Sequence, residues 1–216
     1  MADKKMQSDW LNFYNSILYN TLAPFYAALD WLTLGAWWQL VSRALDYVPE
    51  RKQVLEIGFG PGKLHVELVR RSTVCVGLDL ARGMCRLTQR RLAHAGLLGQ
   101  LTQGSILALP YRDQSFDTIV STFTLPGILD GAKSIQEMTR VARTGGRLVL
   151  VDVGLPSDEN PTGIFWARLW ERMGVILHDH IELMCQSGLT VDTYEEFGPG
   201  KHIRIIVAKK KRPGYL

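Results

Sequence analysis

The chain has 216 residues, of which 46% are hydrophobic and 21% are charged. This balance excludes a disordered or low-complexity protein and predicts one globular domain with additions, large enough to bury a sizeable core. The net charge of +4 is mildly basic, and no basic stripe interleaved with aromatic residues accompanies it, so nucleic acid is not predicted as a partner.

The cysteines indicate a reducing compartment. Cys75, Cys85 and Cys185 are not paired at metal-ligand spacing, and their odd number disfavours a disulfide framework. No metal site is therefore predicted. The first residues carry no compact apolar core followed by a cleavage site, so no signal peptide is expected, and the predicted location is the cytoplasm.

The N-terminal part of the chain is unusually aromatic. Residues 8–48 contain four of the six tryptophans, and apolar positions recur there at helical spacing. Two or three helices are therefore predicted, forming a cap over residues 1–48 before a domain over residues 49–216. The cap either has a functional role or only packs onto the helices of the domain that follows. Residues 22–41 are long enough to span a bilayer, but polar and helix-breaking residues within them disfavour a span.

The chain is organised around Val54-Leu55-Glu56-Ile57-Gly58-Phe59-Gly60-Pro61-Gly62, in which an apolar run ends in an acid and three alternating glycines. A helix over residues 62–71 follows. Strand, glycine turn and helix cradle a cofactor in open α/β folds, because glycine permits a sharp turn and a close approach, and the helix presents free N–H groups. Asp79 ends the next apolar run, 17 residues past Gly62, where an acid meets a ribose.

Strands and helices alternate over the rest of the chain, which implies a parallel sheet with right-handed crossovers. Strands are predicted over 53–57, 74–78, 100–103, 116–122 and 147–153, and further helices over 82–95 and 131–143. Residues 190–197 and 202–208 are joined by Gly198-Pro199-Gly200 and are predicted to form a closing hairpin. An insert over residues 154–188 precedes that hairpin.

The spacing Glu-x-Gly-x-Gly-x-Gly differs from the dinucleotide fingerprint and resembles motif I of the class I S-adenosylmethionine-dependent methyltransferases. Residues 104–111, 115–120 and 140–148 resemble further blocks of that family, in the family's order. The resemblance covers roughly residues 50–153 and is closest to the branch that methylates small molecules, quinones and lipids. It implies an α/β fold with a Rossmann-like, seven-stranded, mostly parallel sheet, helices on both faces and an antiparallel last strand.

The resemblance also implies S-adenosylmethionine as cofactor and S-adenosylhomocysteine as product. Glu56 is expected to hold the amino group of the cofactor, directly or through water, and Asp79 both ribose hydroxyls. Leu80 and Met84 are expected beside the adenine, with Ser105 and Ile106 at its edge. The cofactor-binding residues implied in this way are Tyr26, Glu56, Gly58, Phe59, Gly60, Gly62, Asp79, Leu80, Met84, Ser105, Ile106, Ser121 and Thr122.

Two positions depart from the family pattern. The family usually has an aspartate at Ser105, so the adenine amino group would meet a neutral acceptor here. Tyr26 belongs to an element that resembles one lying over the cofactor in the family, but the family's aspartate is Ala27 in this chain. Contact with the adenine is therefore less firmly implied than contact with the ribose.

Methyl transfer is an in-line displacement, and a general base is needed only if the acceptor must first lose a proton. His178 and His180 of the insert, helped by Asp179, are the candidate catalytic residues. The alternative is a solvated polar turn. His65 and His94 lie on predicted crossover helices and are expected at the surface.

The leading hypothesis is an enzyme that methylates a small, apolar or lipid-like acceptor, with peripheral contact to an anionic membrane and no nucleic-acid partner. The first alternative is a cofactor-binding protein of the same fold without turnover. A second is a protein or nucleic-acid methyltransferase, disfavoured because Ser121-Thr122-Phe123-Thr124 stands where amino-group methylation of DNA and RNA uses Asn/Asp-Pro-Pro-aromatic. The glycine spacing disfavours a nicotinamide oxidoreductase. Oligomeric state stays open.

Overall fold

A computed structural model of the chain describes residues 35–211, so most of the predicted cap, including Tyr26, lies outside the described residues. Seven strands within this range form one sheet in the order β3-β2-β1-β4-β5-β7-β6. The first five are parallel, and β7 runs antiparallel to both of its neighbours. The strands are β1 (Gln53–Ile57), β2 (Val74–Asp79), β3 (Gln100–Gln103), β4 (Phe116–Thr122), β5 (Ala142–Val153), β6 (Leu189–Phe197) and β7 (Ile203–Lys210).

Helices cover both faces of this sheet. The described part begins with a short helix and a 3₁₀ turn over Arg43–Tyr47, and the insert between β5 and β6 supplies two further helices. The helices are α1 (Ala36–Ser42), α2 (Lys63–Arg71), α3 (Arg82–His94), α4 (Gly131–Val141), α5 (Pro161–Arg172) and α6 (His180–Gln186). None of the helices in residues 35–211 has the length and apolar character needed to cross a bilayer.

The central strands are apolar at nearly every position because both of their faces are buried. One face packs Leu55, Ile119 and Leu150 against apolar side chains of α4 and α6. The other face packs Val120 and Val149 against α2, α1 and the turn after it. The end of the predicted cap, from residue 35 to residue 48, thus packs onto the sheet.

The predicted bounds agree with the structure to within two residues, except at the start of the fifth strand. The helix predicted over 131–143 ends at Val141. The strand predicted from residue 147 begins directly after it, at Ala142, so the predicted start of this strand was wrong. Ala142 already pairs with Phe116, and the register then shifts before the ladder resumes. Gly145, with a φ of 74°, supplies the left-handed residue in this irregular segment, which periodicity alone cannot place.

The carboxyl ends of β1, β2, β4 and β5 lie at one edge of the sheet, since these strands are parallel. The glycine loop, Asp79, the residues after Thr122 and the start of the insert therefore converge there. In open α/β sheets, ligands bind outside the carboxyl ends of the strands.

Candidate cofactor and acceptor site

The glycine loop after β1 is held between two threonines. A Cβ atom added at Gly58 would lie 2.0 Å from Oγ1 of Thr124, and one added at Gly62 would lie 2.3 Å from Oγ1 of Thr88. Thr124 Oγ1 donates a hydrogen bond to the carbonyl of Ile57 at 3.1 Å, and Thr88 Oγ1 donates to the carbonyl of Gly60 at 3.0 Å. No side chain fits at Gly58 or Gly62, and the loop is fixed from both sides.

Gly60 differs from these two glycines because no neighbour among the described residues crowds it. Its φ is 51°, and an added Cβ would meet no atom of residues 35–211 within 4 Å. At the end of the neighbouring β4, Ser121 is buried, and its hydroxyl has no hydrogen-bond partner among the described residues. Open space over the loop and an unpaired buried hydroxyl beside it fit a bound molecule with polar groups.

Asp79 ties the glycine loop to the end of β2. Its Oδ2 accepts from the N–H of Gly60 at 2.9 Å, and its Oδ1 accepts from the N–H of Ala81 at 2.8 Å. Burial raises the pKa of this carboxyl, and the two backbone hydrogen bonds oppose that effect. A carboxylate offers about four acceptor sites, so both oxygens retain capacity for ribose hydroxyls.

Glu56, at the end of β1, is buried beneath the loop, and its Oε2 lies 2.8 Å from Nδ1 of His65. His65 is itself 0% exposed, so the prediction that it lies at the surface was wrong. The ring fits because β2 has a glycine opposite it: a Cβ added at Gly77 would lie 2.8 Å from Cε1 of His65. His94, by contrast, is exposed as expected.

The residues expected beside the adenine differ in accessibility. Leu80 is partly exposed at the end of β2, whereas Met84 is buried and packs in one cluster with Phe59 and Ala81. Leu80 therefore presents the open apolar surface, and Met84 supports the loop from behind.

The two residues expected at the adenine edge differ in the contacts that their side chains already make. The Oγ of Ser105 accepts from the N–H of Leu107 at 3.2 Å, so this hydroxyl already has a local partner. Ile106 is buried in the core cluster on one face of the sheet. Thr122, the last residue of β4, is half-buried at the edge where the other predicted cofactor residues converge.

His180, the first residue of α6, forms a buried pair with Asp152 of β5. The Nε2 atom of His180 lies 3.1 Å from Oδ2 of Asp152, and both side chains are fully or almost fully buried. Asp152 Oδ1 also accepts from the N–H of Val153 at 2.8 Å. The Nδ1 atom of His180 has no partner among the described residues. A solvated turn is thus the wrong description of His180, whose ring α6 holds against the sheet.

His178 lies beside this pair, with its ring centroid 6.0 Å from that of His180. Its Nε2 lies 2.8 Å from the carbonyl oxygen of Ile128 and 3.2 Å from that of Leu125. Because carbonyl oxygens only accept, Nε2 carries the proton in this arrangement. Asp179 acts on the helix instead, because its exposed side chain caps α6 by accepting from the N–H of Glu182 at 3.0 Å.

Two residues that organise the site were not predicted, Thr88 and Asp152. The only signal for Asp152 was an acid near the end of the apolar run 148–153, and Thr88 gave none. Thr124 was expected in the segment 121–124 at the floor of the site, but its hydrogen bond to the glycine loop was not predicted. Phe123, just past β4, has a φ of 52°, and its ring centroid lies 4.4 Å from that of Trp37. Strained backbone of this kind clusters at functional sites.

Within residues 35–211, no three His, Cys, Asp or Glu side chains are grouped so as to hold a metal ion.

The insert also presents a mixed apolar and basic face. Phe165, Arg168, Leu169, Arg172 and Met173 follow helical spacing along and just past α5, and the first four of them line a depression on its surface. Phe165 is 62% and Met173 is 60% exposed. Because α5 follows the carboxyl end of β5, this face stands near the edge that carries the glycine loop.

Comparison with known families and proteins identifies the chain's relatives. The family model described as "Methyltransferase domain" matches residues 55–150. A demethylmenaquinone methyltransferase from Roseiflexus castenholzii is 34% identical over 66% of this chain and 61% of its own length, and one from Thermus thermophilus is 31% identical over 68% of each. The ubiquinone/menaquinone biosynthesis C-methyltransferase UbiE of Geotalea daltonii is 26% identical over 64% of this chain. The alignments span 61% to 68% of the length of these relatives.

Solved structures show the same fold at lower sequence identity. A SAM-dependent methyltransferase from Thermotoga maritima superposes with a TM-score of 0.72 and 18% identity, covering 91% of this chain and 99% of that one. The [4+2]-cyclase SpnF superposes with a TM-score of 0.69 and 14% identity, covering 80% of each chain. The Thermus relative, the methyltransferase domain and the glycine loop with Asp79 agree: the chain belongs to the class I S-adenosylmethionine-dependent methyltransferases.

Proposed function

We propose that this protein transfers the methyl group of S-adenosylmethionine to a ring carbon of a small apolar acceptor, a reduced quinone that carries a lipid tail. One observation carries the chemical part of the proposal: a buried His180–Asp152 pair stands at the sheet edge that also carries the glycine loop. The names of the relatives, which act on demethylmenaquinone or as a C-methyltransferase, support the acceptor class.

The strand register relates the pair to the cofactor cradle. Val151 pairs with Thr122 of β4, and Ser121 pairs with Ile57 of β1. Asp152 therefore lies two strands from the glycine loop, and neighbouring strands are about 4.8 Å apart, which gives a lateral separation of about 10 Å. A bicyclic aromatic ring is of comparable size, so an acceptor over β4 would span the distance between the cofactor and the pair. Because His180 is 0% exposed, α6 would have to move for its Nδ1 to contact that acceptor.

S-adenosylmethionine, when bound, supplies a methyl group on a good leaving group, the sulfonium. Gly58, Gly60, Asp79 and Ser121 would hold it over the loop, and in-line alignment with the acceptor provides most of the rate enhancement. The acceptor needs activation, because a ring carbon is nucleophilic only when a neighbouring hydroxyl has lost its proton. In the overall reaction, a ring C–H becomes a C–CH₃, one proton is released, and S-adenosylhomocysteine leaves.

His180 is the proposed general base. With Nε2–H donated to Asp152, the neutral ring presents a lone pair at Nδ1, where it would take the hydroxyl proton. Asp152 would hold the ring in this tautomer and stabilise the charged form. His178 is the weaker candidate, since a Cβ atom at Gly131 would lie only 2.8 Å from its Nδ1, which places that nitrogen against α4.

The test supplies methyl-deuterated S-adenosylmethionine and a prenylated naphthohydroquinone that lacks the ring methyl group, under anaerobic reducing conditions. We expect one deuterated methyl group on the ring carbon and one equivalent of S-adenosylhomocysteine. Methyl transfer to oxygen would overturn the assignment of the acceptor atom. Cofactor binding without any product, from this acceptor or from a panel of small apolar acceptors, would favour a cofactor-binding protein without turnover.

We further propose that the α5 face rests on an anionic membrane that holds the acceptor. Charge complementarity supports this partner, because Arg172 lies beside the exposed Phe165 and Met173, and anionic lipid attracts such basic, apolar faces. Arg168 adds less to this charge, since it forms an ion pair with Glu171 at 2.6 Å. Trp37 and Trp38, in the aromatic stretch, are poor probes of this contact, since Trp37 packs on Phe123 and Trp38 lies under the ammonium group of Lys63.

Sedimentation with phosphatidylserine vesicles at low and moderate salt tests this contact. Phe165→Ser/Met173→Ser should reduce capture of the protein, and Leu98→Ser should not. Leu98 is the matched control, because it is 96% exposed and precedes β3 at the opposite edge of the sheet. Equal capture of all three proteins would overturn the membrane proposal. Capture that survives the double substitution but is lost on deleting residues 1–20 would move the contact to the N-terminal cap.

A further inference from the structure

We propose that His65 is a positioning residue that exchanges charge with the cofactor: binding of the cofactor's ammonium group near Glu56 expels a proton from His65. The inference rests on the cofactor binding proposed above and goes beyond it. The observation behind it is the contact between Nδ1 of His65 and Oε2 of Glu56 at 2.8 Å, beneath a loop whose acid is expected to face the cofactor.

Both partners are removed from water, because Glu56 is 1% and His65 is 0% exposed. A carboxylate buried to this extent needs a compensating positive charge or full hydrogen bonding, since an uncompensated buried charge costs several kcal/mol. Among the described residues, His65 is the side chain within ion-pair distance of Glu56. A protonated His65 can therefore compensate Glu56 while no ligand is bound.

The groups that the described residues place around the ring and Glu56 are a thiol, an aromatic ring and a second acid. Cys75 of β2 has its Sγ 3.9 Å from Nδ1 of His65, and burial, with Glu56 as a second cause, raises the pKa of that thiol, which keeps it neutral. Phe59 stands 5.6 Å away between ring centroids. Asp79 is the next acid, and it interacts electrostatically with Glu56.

The remaining nitrogen of the ring shows the cost of the protonated form. Nε2 of His65 is buried and has no hydrogen-bond partner among the described residues, and a Cβ added at Gly99 would lie 3.6 Å from it. A neutral ring can leave Nε2 as an unused acceptor, whereas a protonated ring must bury a second N–H without a partner. Protonation is thus favoured only while Glu56 lacks another cation.

The cofactor's ammonium group is that other cation. When it approaches Glu56, the imidazolium and the ammonium compete for one carboxylate, and the imidazolium is the poorer competitor because of its unpaired N–H. The ring gives its proton to solvent and continues to donate from Nδ1 to Glu56, which keeps the acid in place. Affinity for ligands with an ammonium group should therefore rise with pH, because releasing the proton to solvent then costs less.

The test is calorimetry of S-adenosylhomocysteine binding at constant pH in buffers of different ionisation enthalpy. Between about pH 5.5 and 7 the ligand's own amino group stays protonated, because an α-amino group titrates at about 7.7–8.0. We expect wild type to release a measurable fraction of one proton for each ligand bound. 5′-Methylthioadenosine lacks the amino acid part, so its binding should release none.

Two variants separate charge from packing. His65→Asn keeps an N–H donor where Nδ1 stands but cannot carry charge, so its binding of S-adenosylhomocysteine should release no proton and lose its pH dependence. His65→Leu removes the donor and should reduce the affinity for S-adenosylhomocysteine at least tenfold more than the affinity for 5′-methylthioadenosine. Thermal unfolding shows whether each variant is folded, and His65→Asn carries the test if His65→Leu does not fold.

Equal proton release by wild type and His65→Asn would overturn the proposal, as would a loss of affinity in His65→Leu that is the same for both ligands. The second result would mean that His65 only fills space. These outcomes leave the proposed function intact, because the nucleoside still binds. If neither ligand binds wild type at any practical concentration, the proposed function fails together with this inference.

Discussion

The proposed cofactor side and the proposed acceptor side of this molecule are built in different ways. On the cofactor side, Gly58, Gly60 and Asp79 follow two adjacent strands, and the backbone itself forms much of the site. On the acceptor side, Asp152 and His180 are 28 residues apart and meet only because α6 packs against β5. A site made of backbone turns depends on local sequence, whereas a site made of paired side chains depends on how distant elements are arranged.

The largest expected effect is on the acceptor side. His178→Ala/His180→Ala should slow the methyl-transfer step by about 10²–10⁴-fold if His180 is the general base. Single-turnover kinetics with saturating cofactor measure this step, and Asp152→Asn should reproduce most of the loss by releasing the ring. His94→Ala, on the exposed end of α3, is the control. Activity of the double variant within a few-fold of wild type would reject the role of these histidines.

The next effect concerns the backbone on the cofactor side. Gly58→Ala should cost about 2–5 kcal/mol of unfolding free energy, because left-handed strain adds about 1–2 kcal/mol and crowding against Thr124 adds about 1–3 kcal/mol. Gly96→Ala is the matched control, since Gly96 has a similar φ of 68° and open space around it. Urea unfolding measures both. Equal costs in the two variants would mean that Thr124 yields easily and does not fix the loop.

Gly60→Ala distinguishes an effect on folding stability from an effect on ligand binding. Its φ is also left-handed, but an added methyl group meets no atom of residues 35–211, so only the strain of about 1–2 kcal/mol should appear in unfolding. In the complex, the methyl group would occupy the space proposed for the cofactor. S-adenosylhomocysteine affinity should fall by more than the change in stability explains. Unchanged affinity by calorimetry would place the ligand elsewhere.

Asp79→Ala removes the proposed charge-assisted contact to the ribose and should weaken the binding of S-adenosylhomocysteine by about 1.5–3 kcal/mol. Part of this loss reflects the N–H groups of Gly60 and Ala81, which lose their acceptor, so Asp79→Asn is the second variant. Asp113→Ala, exposed on the far side of the sheet, serves as the control for charge. Equal affinities of wild type and Asp79→Ala would contradict the assignment of Asp79.

The smallest effect lies outside both sides of the site. Hydrogen bonds from Arg140 lower the pKa of Glu137, which also accepts from the N–H of Leu109 at 2.8 Å. Because the folded pKa is below the unfolded value of about 4.3, this contribution is complete above that pH and is lost as pH falls through the folded pKa. Urea unfolding across this range should show a flatter dependence for Glu137→Gln. Parallel curves would rule out Glu137 as a source of acid lability.

The α5 face and the cap show how far structure can be predicted from local sequence patterns. Helical spacing predicted helices in the aromatic stretch, and residues 35–48 do pack on the sheet through Val41, Leu45 and Val48. The apolar and basic residues of α5 recur at helical spacing, so the sequence could place them on one face. It could not show that this face is exposed, because that depends on α5 packing its other side onto the turn Pro199–Lys201.

The strand, turn and helix of the cofactor side could be predicted from the sequence. Glu56 through Gly62 form one continuous segment and Asp79 follows 17 residues later, and their spacing encodes a left-handed turn and an acid at a strand end. The sequence also determined the order of strands and helices, since period and turn residues are local properties. The resemblance to the methyltransferases rests on these same residues.

Only the tertiary structure decided what lies behind and beside that loop. His65 reads as a surface residue on an amphipathic helix, and it is buried because Gly77, on another strand, leaves room for its ring. Thr88 and Thr124 hold the loop from elements that follow it by tens of residues. Asp152 and His180 become a pair through the packing of the insert. Side-chain contacts between distant segments depend on register and packing, which composition and periodicity do not encode.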